Sequence, residues 1–201
     1  MKDTSGPDEE LLENARQAPE GDYRAFEQLV RRYQKKVITN CRYLTRNAAY
    51  AEDLAQEVFV KIFFSMGGFE GRSSVRTWVQ RVKVNHCLNY IKKQSGKAFL
   101  DPEDERVMNA RELVREPVAE KDMMNQDERR RIAIVLDAMS DSLRVPLLMR
   151  DMDQLSYQEV AEALGVGLSA VKMRIKRGRE EFRRRYLELS GERAQHAAFK
   201  S

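Results

Sequence analysis

Residues 155–172, Leu-Ser-Tyr-Gln-Glu-Val-Ala-Glu-Ala-Leu-Gly-Val-Gly-Leu-Ser-Ala-Val-Lys, carry the most specific pattern in the chain. Ser156 with Glu159 three residues later is a capping box: each side chain accepts from the other residue's backbone N–H and opens a helix. Gly165 stands where that helix would end in left-handed backbone, which glycine adopts without a steric penalty. Ser169 is expected to cap a second helix a few residues on. Two helices joined by so short a glycine turn make a helix-turn-helix. In the second helix Val171, Ile175, Gly178 and Phe182 recur at intervals of three and four and define its core side. Its outward face then carries Ser169, Ala170, Lys172, Met173, Lys176 and Arg177. A lysine or arginine there can donate to guanine O6 and N7 in a major groove. A plain pair of packed helices would show the same periodicity; the small Ala161, the glycine turn and the basic outer face favour nucleic acid.

The distribution of charge points the same way. The 201 residues carry 36 Lys and Arg against 32 Asp and Glu, a net charge of only +4. Yet Gly71–Leu100 holds no carboxylate at all, while containing Arg72, Arg76, Arg81, Lys83, Lys92, Lys93 and Lys97. Residues 172–185 hold a second basic block, relieved only by Glu180 and Glu181. Between the two blocks the sign reverses. Two basic surfaces with an acidic connector suit a polyanion better than two solvated helix faces. Asp53, Gln56 and Glu57, spaced three and four apart, share a further solvent-facing ridge.

Several classes of function find no support. Two cysteines, Cys41 and Cys87, and two histidines would make a four-ligand zinc set only if all four met, but His196 lies in the polar tail and the adjacent His86 and Cys87 point about 100° apart on a helix. Both cysteines read as buried free thiols. Gly67–Gly71 lacks the Lys and Ser or Thr ending of a phosphate loop, and no nucleophile–base pair is evident. No apolar run approaches a membrane span and the acidic start has no signal-peptide core, so a cytoplasmic chain is expected.

The elements that must position these groups are helical throughout, and the fold class is all-α. Residues 1–21 read as a leader helix that follows Pro7. Residues 22–95 form a bundle: Asp22 caps a helix with the stripe Phe26, Leu29, Val30, Tyr33, Val37, Cys41 and Leu44, Asn47 opens the next, and Ser73 or Ser74 caps a third. Residues 96–126 read as a flexible acidic linker, which leaves the docking faces of the flanking units exposed. Residues 127–190 form a second small bundle, in which Ser142 caps a helix with Pro146 in its first turn. Residues 191–201 are a polar tail.

Three segments resemble one known family. Ala51-Glu52-Asp53-Leu54-Ala55-Gln56-Glu57-Val58-Phe59-Val60-Lys61 closely resembles the core-polymerase-binding segment of bacterial sigma factors. Arg76 to Tyr90, with Trp78, Asn85 and Asn89, resembles their promoter-melting helix, and the helix-turn-helix resembles the domain that reads the minus-thirty-five element. The linker is too short for the extra globular region of housekeeping sigma factors, so the resemblance is to the extracytoplasmic-function (ECF) group, which keeps regions two and four only.

The resemblance implies a factor that binds core RNA polymerase, at the clamp of its largest subunit and at its flap, and recognises and melts promoter DNA. An anti-sigma protein would hold it inactive; no cofactor, substrate or catalysis is implied. It places polymerase binding on Asp53, Gln56, Glu57 and Phe59. It places minus-ten contacts on Arg76, Arg81, Asn85 and Asn89, with Phe69, Glu70, Gly71, Arg72 and Ser73 as a loop that captures a flipped base. Trp78 is either a core residue or a wedge against the first unpaired step. Minus-thirty-five contacts fall on Ser169, Ala170, Lys172, Met173, Lys176 and Arg177. A helix-turn-helix regulator that does not bind polymerase is the alternative, and it leaves residues 22–95 without a role.

Overall fold

A computed structural model describes residues 7–95 and 123–190. Among them are eight α-helices and a short 3-10 turn, with no strand. The first unit comprises α1 (Pro7–Gln17), α2 (Arg24–Thr45), α3 (Ala51–Ser65) and α4 (Val75–Ser95), with the 3-10 turn at Met66–Gly68. The second comprises α5 (Met123–Ala138), α6 (Asp141–Asp151), α7 (Tyr157–Leu164) and α8 (Leu168–Leu189). The expected linker 96–126 and tail 191–201 lie outside the described residues, except that α5 already begins at Met123.

The apolar stripe of α2 forms as its spacing predicts: Leu29, Tyr33, Val37, Cys41 and Leu44 are all buried. They pack against Leu54, Ala55, Val58 and Ile62 of α3 and against Val75, Val79, Cys87 and Leu88 of α4. The leader helix α1 adds Leu12 and Ala15. The thiols of Cys41 and Cys87 are free, buried and 3.6 Å apart.

Four helix starts differ from the expectation. α2 begins after Tyr23, with Asp22 Oδ1 accepting from the Arg24 N–H at 3.2 Å. Asn47 does not open α3; its Oδ1 accepts from the Tyr50 N–H at 3.2 Å, organising the turn before the helix starts at Ala51. α6 starts two residues earlier than expected because Ser140, not Ser142, is the last extended residue, and Pro146 therefore sits inside the helix. α8 is preceded by Gly167 in extended backbone, so Ser169 is its second residue and not its cap. Each difference moves a boundary by four residues or fewer and leaves the helix in place. By contrast Ser74 does cap α4, accepting from the Thr77 N–H at 3.2 Å.

The two units are not held apart. α2 packs on α5 and α6, and α4 packs on α7. Arg144 of α6, 1% exposed, donates to the carbonyls of Tyr43 and Leu44, where the C-terminal end of the α2 dipole favours a cation. Arg46, in left-handed backbone just past α2, donates to the Met139 carbonyl beyond α5. Contact on both sides also explains why α4 buries polar residues: Gln80 and Lys83 are each 0% exposed.

Candidate nucleic-acid interface

The helix-turn-helix is built from local sequence. Ser156 Oγ accepts from the Glu159 N–H at 3.1 Å and Glu159 Oε2 from the Ser156 N–H at 2.6 Å, closing the capping box. Gly165 then takes φ +67, and the Val166 N–H reaches the Ala161 carbonyl at 3.1 Å, ending α7. Val171, Ile175 and Gly178 of α8 face inward, with Phe182 half-buried behind them. The close α6–α8 approach needs a glycine: a Cβ on Gly178 would lie 3.0 Å from the Leu143 carbonyl oxygen. This fixes the roll of α8, so that Ser169, Ala170, Lys172, Met173, Lys176 and Arg177 are all exposed, Met173 at 49%. Farther along, Arg179 pairs with Asp151 at 2.6 Å, and Arg184 and Arg185 pair with Glu181 at 2.7 and 2.6 Å. Arg183 is exposed.

On α4 the structure brings Trp78, Arg81, Asn85 and Asn89 into one strip, the last three exposed. Trp78 is half-buried, its ring centroid 5.1 Å from that of Phe69. In the preceding loop Glu70 pairs with Arg72, Gly71 takes φ +68, and Ser73 is half-buried. Arg76 is exposed but lies off the strip. Two carboxylates on this unit's basic side were not foreseen. Glu9 of α1 accepts from the Val75 N–H at 2.9 Å, occupying the N-terminal end of α4. Glu159 of α7 pairs with Arg81 at 3.0 Å.

On α3, Asp53, Gln56 and Glu57 are exposed on one ridge, with Glu57 Oε2 2.8 Å from His86 Nε2. Phe59 does not share it: two residues on from Glu57 it turns away and is half-buried against the core. The ridge continues instead through Val60 and Phe64, 54% and 81% exposed. Within an apolar run sequence alone does not separate Phe64 from Phe63, whose ring packs 5.1 Å from Phe26.

A helical bundle with an exposed polar strip on one helix, followed by a helix-turn-helix with a basic outer face, defines a DNA-binding protein of the sigma type. Comparison with known proteins agrees. The Sigma-70 region 2 family matches residues 29–97 and the Sigma-70, region 4 family matches residues 129–182. The ECF RNA polymerase sigma-E factor of Haemophilus influenzae is 31% identical over 178 residues, covering 86% of this chain and 92% of its own. The ECF RNA polymerase sigma factor SigW of Bacillus subtilis is 28% identical over 183 residues, covering 89% and 98%. CnrH, solved in complex with the cytosolic domain of CnrY, shares the fold at a TM-score of 0.56 and 22% identity, over 87% of this chain and 94% of that one. The chain belongs to the ECF RNA polymerase sigma factors, a family that serves transcription initiation and is not an enzyme class. No helix among the described residues is long and apolar enough to cross a membrane.

Proposed function

We propose that the chain binds core RNA polymerase through the α3 ridge, reads the minus-thirty-five element with α8, and reads and opens the minus-ten element with α4 and the loop before it. The observation that carries this reading is the exposed strip Arg81, Asn85 and Asn89 on α4, in a chain that also presents the outer face of α8. A helix-turn-helix regulator needs the second surface only. Amide side chains suit unpaired bases, whose Watson–Crick edges offer donors and acceptors together, and an adjacent aromatic supplies a stacking face. Extruding a base costs a few kcal/mol, which contacts made only to the flipped base must offset. Lys172, Lys176 and Arg177 are placed for guanine edges, while Arg183 lies too far along α8 to reach the same bases and suits phosphate.

Regulation by an anti-sigma protein belongs to the same reading. The complex of CnrH with the cytosolic domain of CnrY supports it, since that protein of the same fold was solved with a second chain bound.

The test is titration of core polymerase with the wild-type chain and with the Asp53→Lys, Glu57→Lys double variant. Charge reversal across a docking surface is expected to weaken binding tenfold or more while leaving helical content unchanged, because exposed charges add little to stability. Unchanged affinity removes the ridge from the interface. No binding by the wild-type chain, with DNA binding retained, favours the regulator instead.

A further inference from the structure

The loop that joins α3 to α4 has little of its own to hold it. Gly67, Gly68 and Gly71 are all exposed, and a Cβ at any of them would meet nothing within 4 Å. Glycine gives up more backbone freedom on ordering than any other residue, so such a loop keeps one shape where something outside it fixes its ends. The leader helix α1 supplies both fixings. Arg16 donates to the Gly67 carbonyl at 3.3 Å, where the chain leaves α3. Glu9 Oε1 accepts from the Val75 N–H at 2.9 Å, where the chain enters α4. Neither bond is local, the partners being 51 and 66 positions apart. Val75 is the first residue of α4, so its N–H has no carbonyl partner within the helix, and the helix dipole favours a carboxylate there.

Resting on the sigma reading above, we propose that α1 is a strap that sets the shape of the base-capturing loop, with Glu9 and Arg16 as positioning residues for readout of the flipped base. The two residues are seven apart, so they share one face of α1 and stand about 10 Å apart along its axis. The helix that carries them is itself anchored. Leu12, between them, is 1% exposed in the core, and Asp8 accepts from Arg32 and from the Tyr33 hydroxyl of α2. Arg16 is steadied by Glu13 at 3.1 Å. Inside the loop the Phe69 N–H reaches the Met66 carbonyl at 3.2 Å, which leaves Glu70, Gly71 and Arg72 exposed at the tip. Polar groups at such a tip discriminate between bases when they already stand in place, because ordering them on binding would offset the contacts they make. Holding both loop ends on one rigid helix does that ordering in advance. The strip Arg81, Asn85 and Asn89 lies farther along α4, so the strap governs the base held by the loop and leaves the bases read by the strip alone. It also accounts for a carboxylate beside a DNA-binding loop, where a free one would only repel phosphate.

Amide hydrogen exchange on the full chain, without DNA or polymerase, tests the strap by itself. In the Glu9→Ala, Arg16→Ala double variant the loop amides up to Val75 should exchange about tenfold faster, while those of α2 keep the wild-type rate. Unchanged exchange in the loop overturns the proposal. Selection from a randomised single-stranded oligonucleotide, by the chain on core polymerase, tests the readout. The double variant should lose preference about tenfold at one base position and keep it at the others. Glu9→Gln, whose amide oxygen can still accept from Val75, should keep preference at every position. Unchanged preference in the double variant, or a loss spread evenly over all positions, overturns the proposal. So does higher affinity with the same preference, the result expected of a carboxylate that merely repels phosphate. Should the double variant lose helicity, Arg16→Ala alone, which removes an exposed side chain, is judged by the same two readings. A wild-type chain that selects no base on polymerase would strike the sigma reading, and the exchange result would still decide whether α1 holds the loop.

Discussion

Glu159 and Arg81 meet at 3.0 Å across the two units, although Glu159 is also the residue that closes the capping box of α7. One carboxylate thus starts the helix-turn-helix and engages α4 of the first unit. Its pKa reflects both duties. Burial pushes it up, but bonds from the backbone N–H and hydroxyl of Ser156 and from Arg81 outweigh burial and hold it below the ordinary 4.5.

A carboxylate whose folded pKa is depressed adds stability above its unfolded pKa, and that stability is lost as pH falls through the folded value. The wild-type chain should therefore lose melting temperature as pH drops below 4.5, partly through Glu159. Glu159→Gln keeps an acceptor at the capping position but has no charge to titrate. It should melt slightly lower at neutral pH and show a shallower acid decline. Thermal melts from pH 7 to pH 3 check this, and parallel declines in both proteins would remove Glu159 from the acid response.

Gly178 offers a packing test. Replacing glycine by alanine inside a helix ordinarily gains up to ~1 kcal/mol. Here the new methyl would meet the Leu143 carbonyl oxygen at 3.0 Å and Leu147 Cβ at 3.4 Å. A backbone carbonyl inside α6 cannot swing aside as a side-chain tip can, and overpacking costs ~1–3 kcal/mol. Gly178→Ala should lower the melting temperature by a few degrees. A rise would mean that α6 and α8 part easily.

Base preference separates the roles along α8. Lys172→Ala or Arg177→Ala should relax selectivity at particular minus-thirty-five positions, by ~1–3 kcal/mol for each side chain that pairs with a base edge. Arg183→Ala should weaken all sequences alike and reduce the salt slope. Arg184, already paired with Glu181 and Glu188, should change less than Arg183. Binding-site selection on the four variants, with salt titration of each, separates these outcomes. A uniform loss for the Lys172 and Arg177 variants would assign both to the phosphate backbone and leave Met173 and Lys176 as the readers.

What the sequence made legible was local. Ser156, Glu159 and Gly165 announce their roles because a capping box and a left-handed glycine are decided within a few residues, and the α2 stripe follows from period alone. Helix starts were less legible where two serines compete, as Ser140 and Ser142 do, since either hydroxyl can cap and only the backbone decides. The contact between the units was invisible. Lys83 and Asp153 are 70 positions apart, Arg144 finds carbonyls whose positions depend on where α2 ends, and a buried lysine reads in sequence like a solvated one. The strip of Asn85 and Asn89 was legible from spacing; the displacement of Phe59 from the α3 ridge in favour of Phe64 required the packed helix.

Run-off transcription on genomic fragments asks whether this chain confers promoter-specific initiation on core RNA polymerase. Core enzyme with the chain should yield discrete transcripts that core enzyme alone does not. Those transcripts should weaken when Asn85 and Asn89 are both replaced by alanine. A wild-type chain that binds core enzyme yet yields no discrete transcript from any fragment would rule out that role.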